Sequence, residues 1–112
     1  MIPDHSDDPL YQLLSNEDVG GFNARRTELD ASNLKGKHYR GLDLRGLQVD
    51  GIDFSDSYFR SADLRGIDFR NTNLEGCTLT DANISGCYFP DALSAEEIRL
   101  SVEMGTRLRY RR

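Results

Sequence analysis

The stretch that decides the fold is ADLRGIDFRNTNLEGCTLTDANISG, residues 62–86, in which one pattern returns every five residues. Each unit begins with a small or apolar residue, usually continues with Asp or Asn, and has a large apolar residue at its third position. Its fifth position holds Gly, Asn or Asp, which are residues that favour turns. Such a repeat decides the architecture before any single motif does.

The pattern extends beyond this stretch in both directions. The large apolar residue recurs without interruption at Leu34, Tyr39, Leu44, Val49, Phe54, Phe59, Leu64, Phe69, Leu74, Leu79, Ile84 and Phe89. Ser94 occupies the next position in this frame, and Pro90 would break a strand before it. We therefore expect the repeats to end near residue 91.

A period of five residues fits neither a helix nor a flat strand, whose periods are about 3.6 and 2. Two inward positions in each unit indicate a short extended segment, and the turn residue then bends the chain into the next segment. Four bends close a square, so one coil takes about twenty residues and successive coils stack as parallel strands roughly 4.8 Å apart.

The units resemble those of a known family. The runs Ala62–Gly66, Thr72–Gly76 and Ala82–Gly86 are similar to the A(D/N)LXX unit of the pentapeptide repeat proteins, and the resemblance covers residues 27–91 as thirteen units. It implies an all-β solenoid, a right-handed quadrilateral parallel β-helix of pentapeptide repeats about three coils long. The large and the small residue of each unit would both point inward.

Non-repeating segments flank the coil, and a solenoid needs its two open ends covered. We expect residues 1–26 to form a helical N-terminal cap and residues 27–91 to form the β-helix. Residues 92–112 would then supply a C-terminal capping helix followed by a basic tail.

Local signals place the helices of these caps. Asp8 before Pro9 predicts the start of a first short helix, and a second one is expected from Glu17 to about Arg25. At the other end, Ser94 and Glu97 have the spacing of a capping box, which predicts a helix from Ala95 to Met104 that stops at Gly105.

Three inward positions carry a charged or reactive group. Lys37 stands where a small buried residue belongs, and a buried lysine without a partner is costly. We therefore expect the first coil to be irregular or open at this point. Cys77 and Cys87 also fall at small inward positions and are expected to be buried free thiols rather than a disulfide or a metal pair.

Residues twenty apart stack on one side of such a coil, so the sequence maps onto four outward faces. Face one carries Lys35, Asp53, Ser55, Asn73 and Glu75, and face two carries His38, Arg40, Tyr58, Arg60, Thr78 and Thr80. Face three carries Asp43, Arg45, Asp63, Arg65, Asn83 and Ser85. Face four carries Glu28, Asp30, Gln48, Asp50, Asp68, Arg70, Tyr88 and Pro90. On face three, each Asp precedes an Arg by two residues, which favours a ladder of ion pairs.

Face two is the candidate partner-binding surface, through His38, Arg40, Tyr58 and Arg60. Arginine and tyrosine are enriched at the energetically important points of protein interfaces. A solenoid also displays its outward residues in regular rows. The sequence thus favours a non-catalytic protein–protein interaction module or scaffold. The alternative is that face two is an ordinary charged, solvated surface with no binding role.

Face four suggests a second function. Some relatives in the family are similar to B-form DNA in shape and charge, bind DNA gyrase and protect it from quinolones. The nearest counterpart in this chain is the acidic set Glu28, Asp30, Asp50 and Asp68. Length opposes this alternative, because three coils span only about 15 Å at strand spacing, under half of a duplex turn of roughly 34 Å.

The C-terminal segment carries two further expectations. One apolar stripe of its helix would plug the coil, which leaves Leu100 and Met104 for a homodimer contact with a second copy. The tail of residues 107–112 contains four arginines and one tyrosine, a composition that could touch nucleic acid. A disordered or intramolecularly paired tail is the favoured interpretation, and Asp4, Asp7 and Asp8 are candidate partners for it.

Composition and missing motifs exclude several classes of function. The 112 residues have a formal net charge of −5, which makes nucleic acid an unlikely partner. No apolar run is long enough for a membrane span, and the N-terminal residues show no basic region followed by an apolar stretch, so a cytoplasmic location is expected. We find no catalytic motif, no cofactor-binding motif and no metal-ligand spacing around His5 or His38.

Overall fold

The computed structural model describes residues 7–111, and within this range it contains three helices. Helix α1 spans Pro9–Ser15, α2 spans Val19–Arg25 and α3 spans Ala95–Met104. The repeating segment lies between α2 and α3. None of the three helices in this range is long and apolar enough to cross a membrane.

Parallel bridges join residues that are twenty apart along the repeating segment. They pair His38 with Tyr58, Tyr58 with Thr78, Asp43 with Asp63, Asp63 with Asn83, Asp53 with Asn73, and Asp68 with Tyr88. These pairs lie on four different faces, which confirms the predicted coil of twenty residues. The bridges stay isolated, and residues 7–111 contain no continuous strand, because a turn interrupts the ladder every five residues.

Around the solenoid, backbone N–H groups of one coil donate to backbone carbonyl groups of the adjacent coils. Tyr39 N donates to Tyr58 O of the next coil at 2.7 Å, and Tyr58 N donates back to Lys37 O at 2.9 Å. At the corners the chain turns sharply, as where Ile67 N donates to Leu64 O at 3.2 Å across Gly66, whose φ is 76°. This left-handed conformation explains the glycine at that corner, since other residues adopt it at a cost.

The large inward residues fill the interior, and side chains at the small inward positions form hydrogen bonds with the preceding coil. Tyr39, Phe54 and Phe59 are buried with ring centroids 5.1–5.8 Å apart, and Tyr39 Oη donates to Leu34 O at 2.7 Å. Burial raises the pKa of the Tyr39 hydroxyl well above its usual range. The hydroxyls and thiols at small positions each donate to a carbonyl of the preceding coil: Ser57 to Leu34, Thr72 to Val49, Cys77 to Phe54 and Cys87 to Leu64.

The first coil is irregular at Lys37, as expected. Lys37 N donates to Ser57 Oγ at 3.2 Å and does not close the turn onto Leu34 O, which instead accepts from Tyr39 and Ser57. The Lys37 side chain is only partly buried, and its Nζ lies 5.5 Å from the centroid of the Tyr11 ring on α1. The amine therefore leaves the interior and contacts the N-terminal cap.

Helices α1 and α2 cover the open end of the first coil. Asp8 caps α1 as predicted, with its carboxylate accepting from Tyr11 N at 3.1 Å. The prediction that the second helix begins at Glu17 is wrong, because Glu17 has a φ of 57° in the turn between the helices and Asp18 caps α2. Glu17 instead accepts a hydrogen bond from Asp43 N, a first-coil donor with no coil beneath it.

Helix α3 begins at Ala95, ends at Met104 and is followed by Gly105, as predicted. Ser94 Oγ accepts from Glu97 N at 3.1 Å, which is one half of the capping box. The Glu97 carboxylate does not complete the box and pairs with Arg109 at 3.0 Å. Pro90 departs from its predicted outward position, since it is buried where the chain turns from the last coil towards α3 and Leu93 N donates to Pro90 O.

The last coil would expose the N–H groups that normally bind a further coil, and the C-terminal segment supplies acceptors for four of them. Leu79 N donates to Ser101 Oγ, Asp81 N to Val102 O, Gly76 N to Leu108 O and Leu74 N to Tyr110 Oη, at 2.8–3.0 Å. The tail is therefore ordered on the coil through residue 111. It lies against the C-terminal coil, so the expectation that it meets Asp7 or Asp8 is wrong; Asp4 is outside the described residues.

Candidate partner-binding face

Face two carries a stacked pair of rings at its centre. His38 and Tyr58 occupy equivalent positions of consecutive coils, and the His38↔Tyr58 bridge sets them side by side. Their ring centroids are 4.6 Å apart with an interplanar angle of 8°. The two rings are nearly parallel, so together they form one continuous aromatic surface at the centre of the face.

The C-terminal tail adds a cation that the sequence analysis missed. The Arg107 guanidinium lies 5.8 Å from the Tyr58 ring centroid, and its Nη2 donates to Tyr58 Oη at 3.2 Å. Arg107 also pairs with Asp56 at 3.7 Å. The alternation of Leu108 and Tyr110 with arginines was a signal for a tail with one buried side. This alternation did not indicate which face of the coil the arginine side of the tail would contact.

Two further arginines of face two have no carboxylate partner among residues 7–111. Arg40 and Arg60 are exposed, and neither forms an ion pair with any carboxylate of residues 7–111. Gly41 N donates to Arg60 O at 2.8 Å, which places the two arginines on adjacent rungs. A shallow groove runs over the face and is lined by His38, Arg40, Tyr58, Arg60, Thr78, Thr80 and Gly105.

Face three has the same two-arginine arrangement with the opposite outcome. Arg45 pairs with Asp43 and Arg65 with Asp63, each at 2.7 Å, and Arg45 Nε also lies 3.4 Å from Asp63. The expected ladder of ion pairs is therefore confirmed. The hydrogen bond from Arg45 lowers the pKa of Asp43 to about 2, and the one from Arg65 lowers the pKa of Asp63.

Face four is less acidic than the sequence indicates. Asp68 pairs with Arg70 at 2.7 Å, Asp50 accepts from Asn71 at 2.8 Å, and Arg26 of the N-terminal cap donates to Asp50 O. Glu28 and Asp30 are exposed in the segment that follows α2. The four carboxylates of the predicted acidic face thus share their surface with two arginines.

Comparison with known families agrees with this architecture. The family model described as Pentapeptide repeats (8 copies) matches residues 40–76 and 52–91. Residues 40–91 belong to the pentapeptide repeat family. The match begins at residue 40, after the irregular unit that contains Lys37. No curated protein and no solved structure matches the chain.

The remaining candidate residues lie at the C-terminal end of the pentapeptide repeats. Met104 is 72% exposed, and Leu100 is partly buried. Ile98 and Val102 lie on the other stripe of α3 and line an apolar cleft against the last coil, so the predicted plug is only partly closed. The homodimer contact through Leu100 and Met104 stays a prediction.

The two thiols of the pentapeptide repeats are free, and Cys77 is buried while Cys87 is only partly buried. Cys87 is more accessible than expected because no further coil covers its side of the last coil. Burial raises the pKa of Cys77 to about 12 and also raises that of Cys87, which disfavours reactive thiolates. Within residues 7–111, no three His, Cys, Asp or Glu residues form a metal-binding cluster.

Proposed function

We propose that this chain is a non-catalytic protein–protein interaction module, built on a right-handed quadrilateral β-helix, that binds its partner through face two. The observation that carries the proposal is the pair Arg40 and Arg60, which lack an ion pair within residues 7–111 and flank the stacked rings of His38 and Tyr58. Exposed Arg and Tyr on a rigid surface are the residues that most often anchor an interface.

The packing of the coil supports a non-catalytic role. Its large and small inward residues fill the interior between Leu34 and Leu79, where the side chains are buried in contact with one another. Catalytic and small-molecule sites need a concave pocket with convergent polar groups. The lowered pKa values of Asp43, Asp63 and Asp68 on faces three and four come from exposed ion pairs with arginines, which is a structural cause rather than a catalytic one.

The experiment that tests this function is affinity capture from the lysate of the native host, read by mass spectrometry. The variant Tyr58→Ala/Arg60→Ala removes one ring and one arginine from face two. The matched control Arg65→Ala/Tyr88→Ala removes the same residue types from faces three and four. We expect one protein to be enriched by the wild type and by the control, and lost with the face-two variant. Equal capture by both variants would contradict the assignment.

The DNA-mimic alternative has weaker support. A DNA mimic needs an unbroken row of negative charge, whereas Arg26 and Arg70 interrupt the row of carboxylates on face four. We expect no inhibition of supercoiling by DNA gyrase at micromolar protein, and inhibition would move the functional site to face four. A nucleic-acid role for the tail is similarly disfavoured by the formal net charge of −5 and by the ion pair of Arg109 with Glu97.

A further inference from the structure

We propose that face two recognises an acidic peptide segment, whose carboxylates pair with Arg40 and Arg60 on adjacent rungs of the coil. This inference rests on the proposed function, because it names the chemistry of the partner that binds the same face. It commits to a peptide rich in Asp or Glu rather than to nucleic acid.

The charge distribution is the first argument. The protein has a formal net charge of −5, yet the six outward positions of face two contain no carboxylate. Asp56 lies at a corner of this face and is paired with Arg107. Asp43 and Asp63 lie across the next corner and are paired with the arginines of face three. These three carboxylates are thus occupied, and neither Arg40 nor Arg60 forms an ion pair with a carboxylate of residues 7–111, which leaves both arginines available to an outside anion.

The spacing of the two arginines is the second argument. The bond from Gly41 N to Arg60 O fixes them one rung apart, a distance of about 4.8 Å between backbones. Carboxylates four residues apart on a helix have Cβ atoms about 5–6 Å apart, and alternate residues of a strand lie about 6.8 Å apart. Either arrangement can present one carboxylate to each guanidinium, which forms bidentate hydrogen bonds with such groups.

Preorganisation is the third argument. Arg60 projects from a coil whose backbone is hydrogen-bonded to the coils on both sides, and Arg40 projects from the first coil, which is hydrogen-bonded to the second, so little ordering of the backbone is needed on binding. Arg107 can reinforce the same site. Its ion pair with Asp56 is long at 3.7 Å, and its side chain is exposed. Exposed pairs of this kind are weak, so an incoming carboxylate can compete with Asp56 for Arg107.

The test measures binding of a fluorescein-labelled hexaglutamate peptide to the full chain by fluorescence anisotropy at low salt. Arg40→Gln/Arg60→Gln removes the two arginines of face two, and Arg45→Gln/Arg65→Gln removes the equivalent pair of face three. Both variants lose two positive charges from the same starting charge, so they separate local recognition from net charge. Circular dichroism with thermal unfolding verifies that each variant is folded.

We expect the Kd for hexaglutamate to rise at least tenfold in the face-two variant and less than threefold in the face-three variant. An equal loss in both variants, or no binding by the wild type, would overturn the inference. Tighter binding of a labelled hexathymidylate than of hexaglutamate would also overturn it, because the face would then favour nucleic acid.

The outcome is separable from that of the proposed function. If capture from the lysate depends on Tyr58 and Arg60 but hexaglutamate does not bind, the interaction module stands and the acidic-peptide inference fails. If hexaglutamate binds but capture does not depend on face two, the proposed function fails. The acidic-peptide inference, which rests on the proposed function, would then fail with it.

Discussion

Faces two and three meet at one corner of the coil and carry the same pair of arginines twenty residues apart, yet they differ in electrostatic state. On face three, the residue two before each arginine is Asp, and both guanidinium groups are paired. On face two the equivalent residues are His38 and Tyr58, which stack on each other. One position of the repeat therefore decides whether an arginine is neutralised by its own face or remains available to a partner.

The difference concerns binding more than stability. Exposed ion pairs are screened by solvent, so the ladder of face three adds little to the free energy of unfolding. Its main effect is to occupy Arg45 and Arg65. Stability comes instead from the buried large residues that lie behind both faces.

The largest expected effects come from removing the shared core. Phe59→Ala behind face two should lower the free energy of unfolding by about 3–5 kcal/mol, and Leu64→Ala behind face three by about 2–5 kcal/mol, because each leaves a cavity in a packed interior. Urea denaturation measures both. If Leu64→Ala left stability unchanged, face three would not share the core of face two.

A smaller effect is expected when face two is converted into a copy of face three. His38→Asp/Tyr58→Asp places an Asp two residues before each arginine, so Arg40 and Arg60 should form the ion pairs seen in the ladder. Binding of hexaglutamate should weaken at least tenfold, or about 1.4 kcal/mol. The control His38→Asn/Tyr58→Asn changes the same side chains without adding charge and should bind more tightly than the Asp variant. Equal binding by the two would argue against the comparison.

The smallest effect is the acid sensitivity of the ladder. The pKa of Asp43 is about 2 in the folded protein, against an ordinary value of 3.8. Its stabilising contribution is therefore complete above about pH 4 and is lost as the pH falls through 2.

Asp43→Asn/Asp63→Asn should accordingly lose less stability between pH 5 and pH 2 than the wild type does, as measured by urea denaturation at the two pH values. The face-two variant Arg40→Gln/Arg60→Gln serves as control and should keep the wild-type pH dependence. A double Asn variant that behaved like the wild type would show that the ladder has no part in acid unfolding.

The periodic parts of the molecule were predictable from sequence. The uninterrupted large residues gave the coil of twenty, because each unit contributes the same two inward positions. The capping pattern at Ser94 and the glycine at 105 set both ends of α3. The ladder of face three was predictable from the Asp–Arg spacing. Residues two apart in an extended segment have their side chains on the same side, so each Arg can hydrogen-bond to the Asp that precedes it by two residues.

The parts that depend on contacts distant in sequence were not predictable. Arg107 reaches Tyr58 across 49 residues of sequence, because Leu108 pairs with the exposed edge of the last coil at Gly76 and Cys77. The Glu17 turn was missed for a related reason. Its side chain supplies an acceptor for Asp43 N in the first coil, which the local helical pattern does not indicate.

The most direct test of the difference between the two faces is a nuclear magnetic resonance titration of isotopically labelled protein with hexaglutamate. Backbone amide shifts would be followed at residues 38–41 and 58–61 on face two, and at residues 43–46 and 63–66 on face three. We expect saturable shifts on face two, with the residues of face three changed little. Shifts of equal size on both faces, or shifts confined to face three, would contradict the claim that arginines without ion pairs define the binding surface.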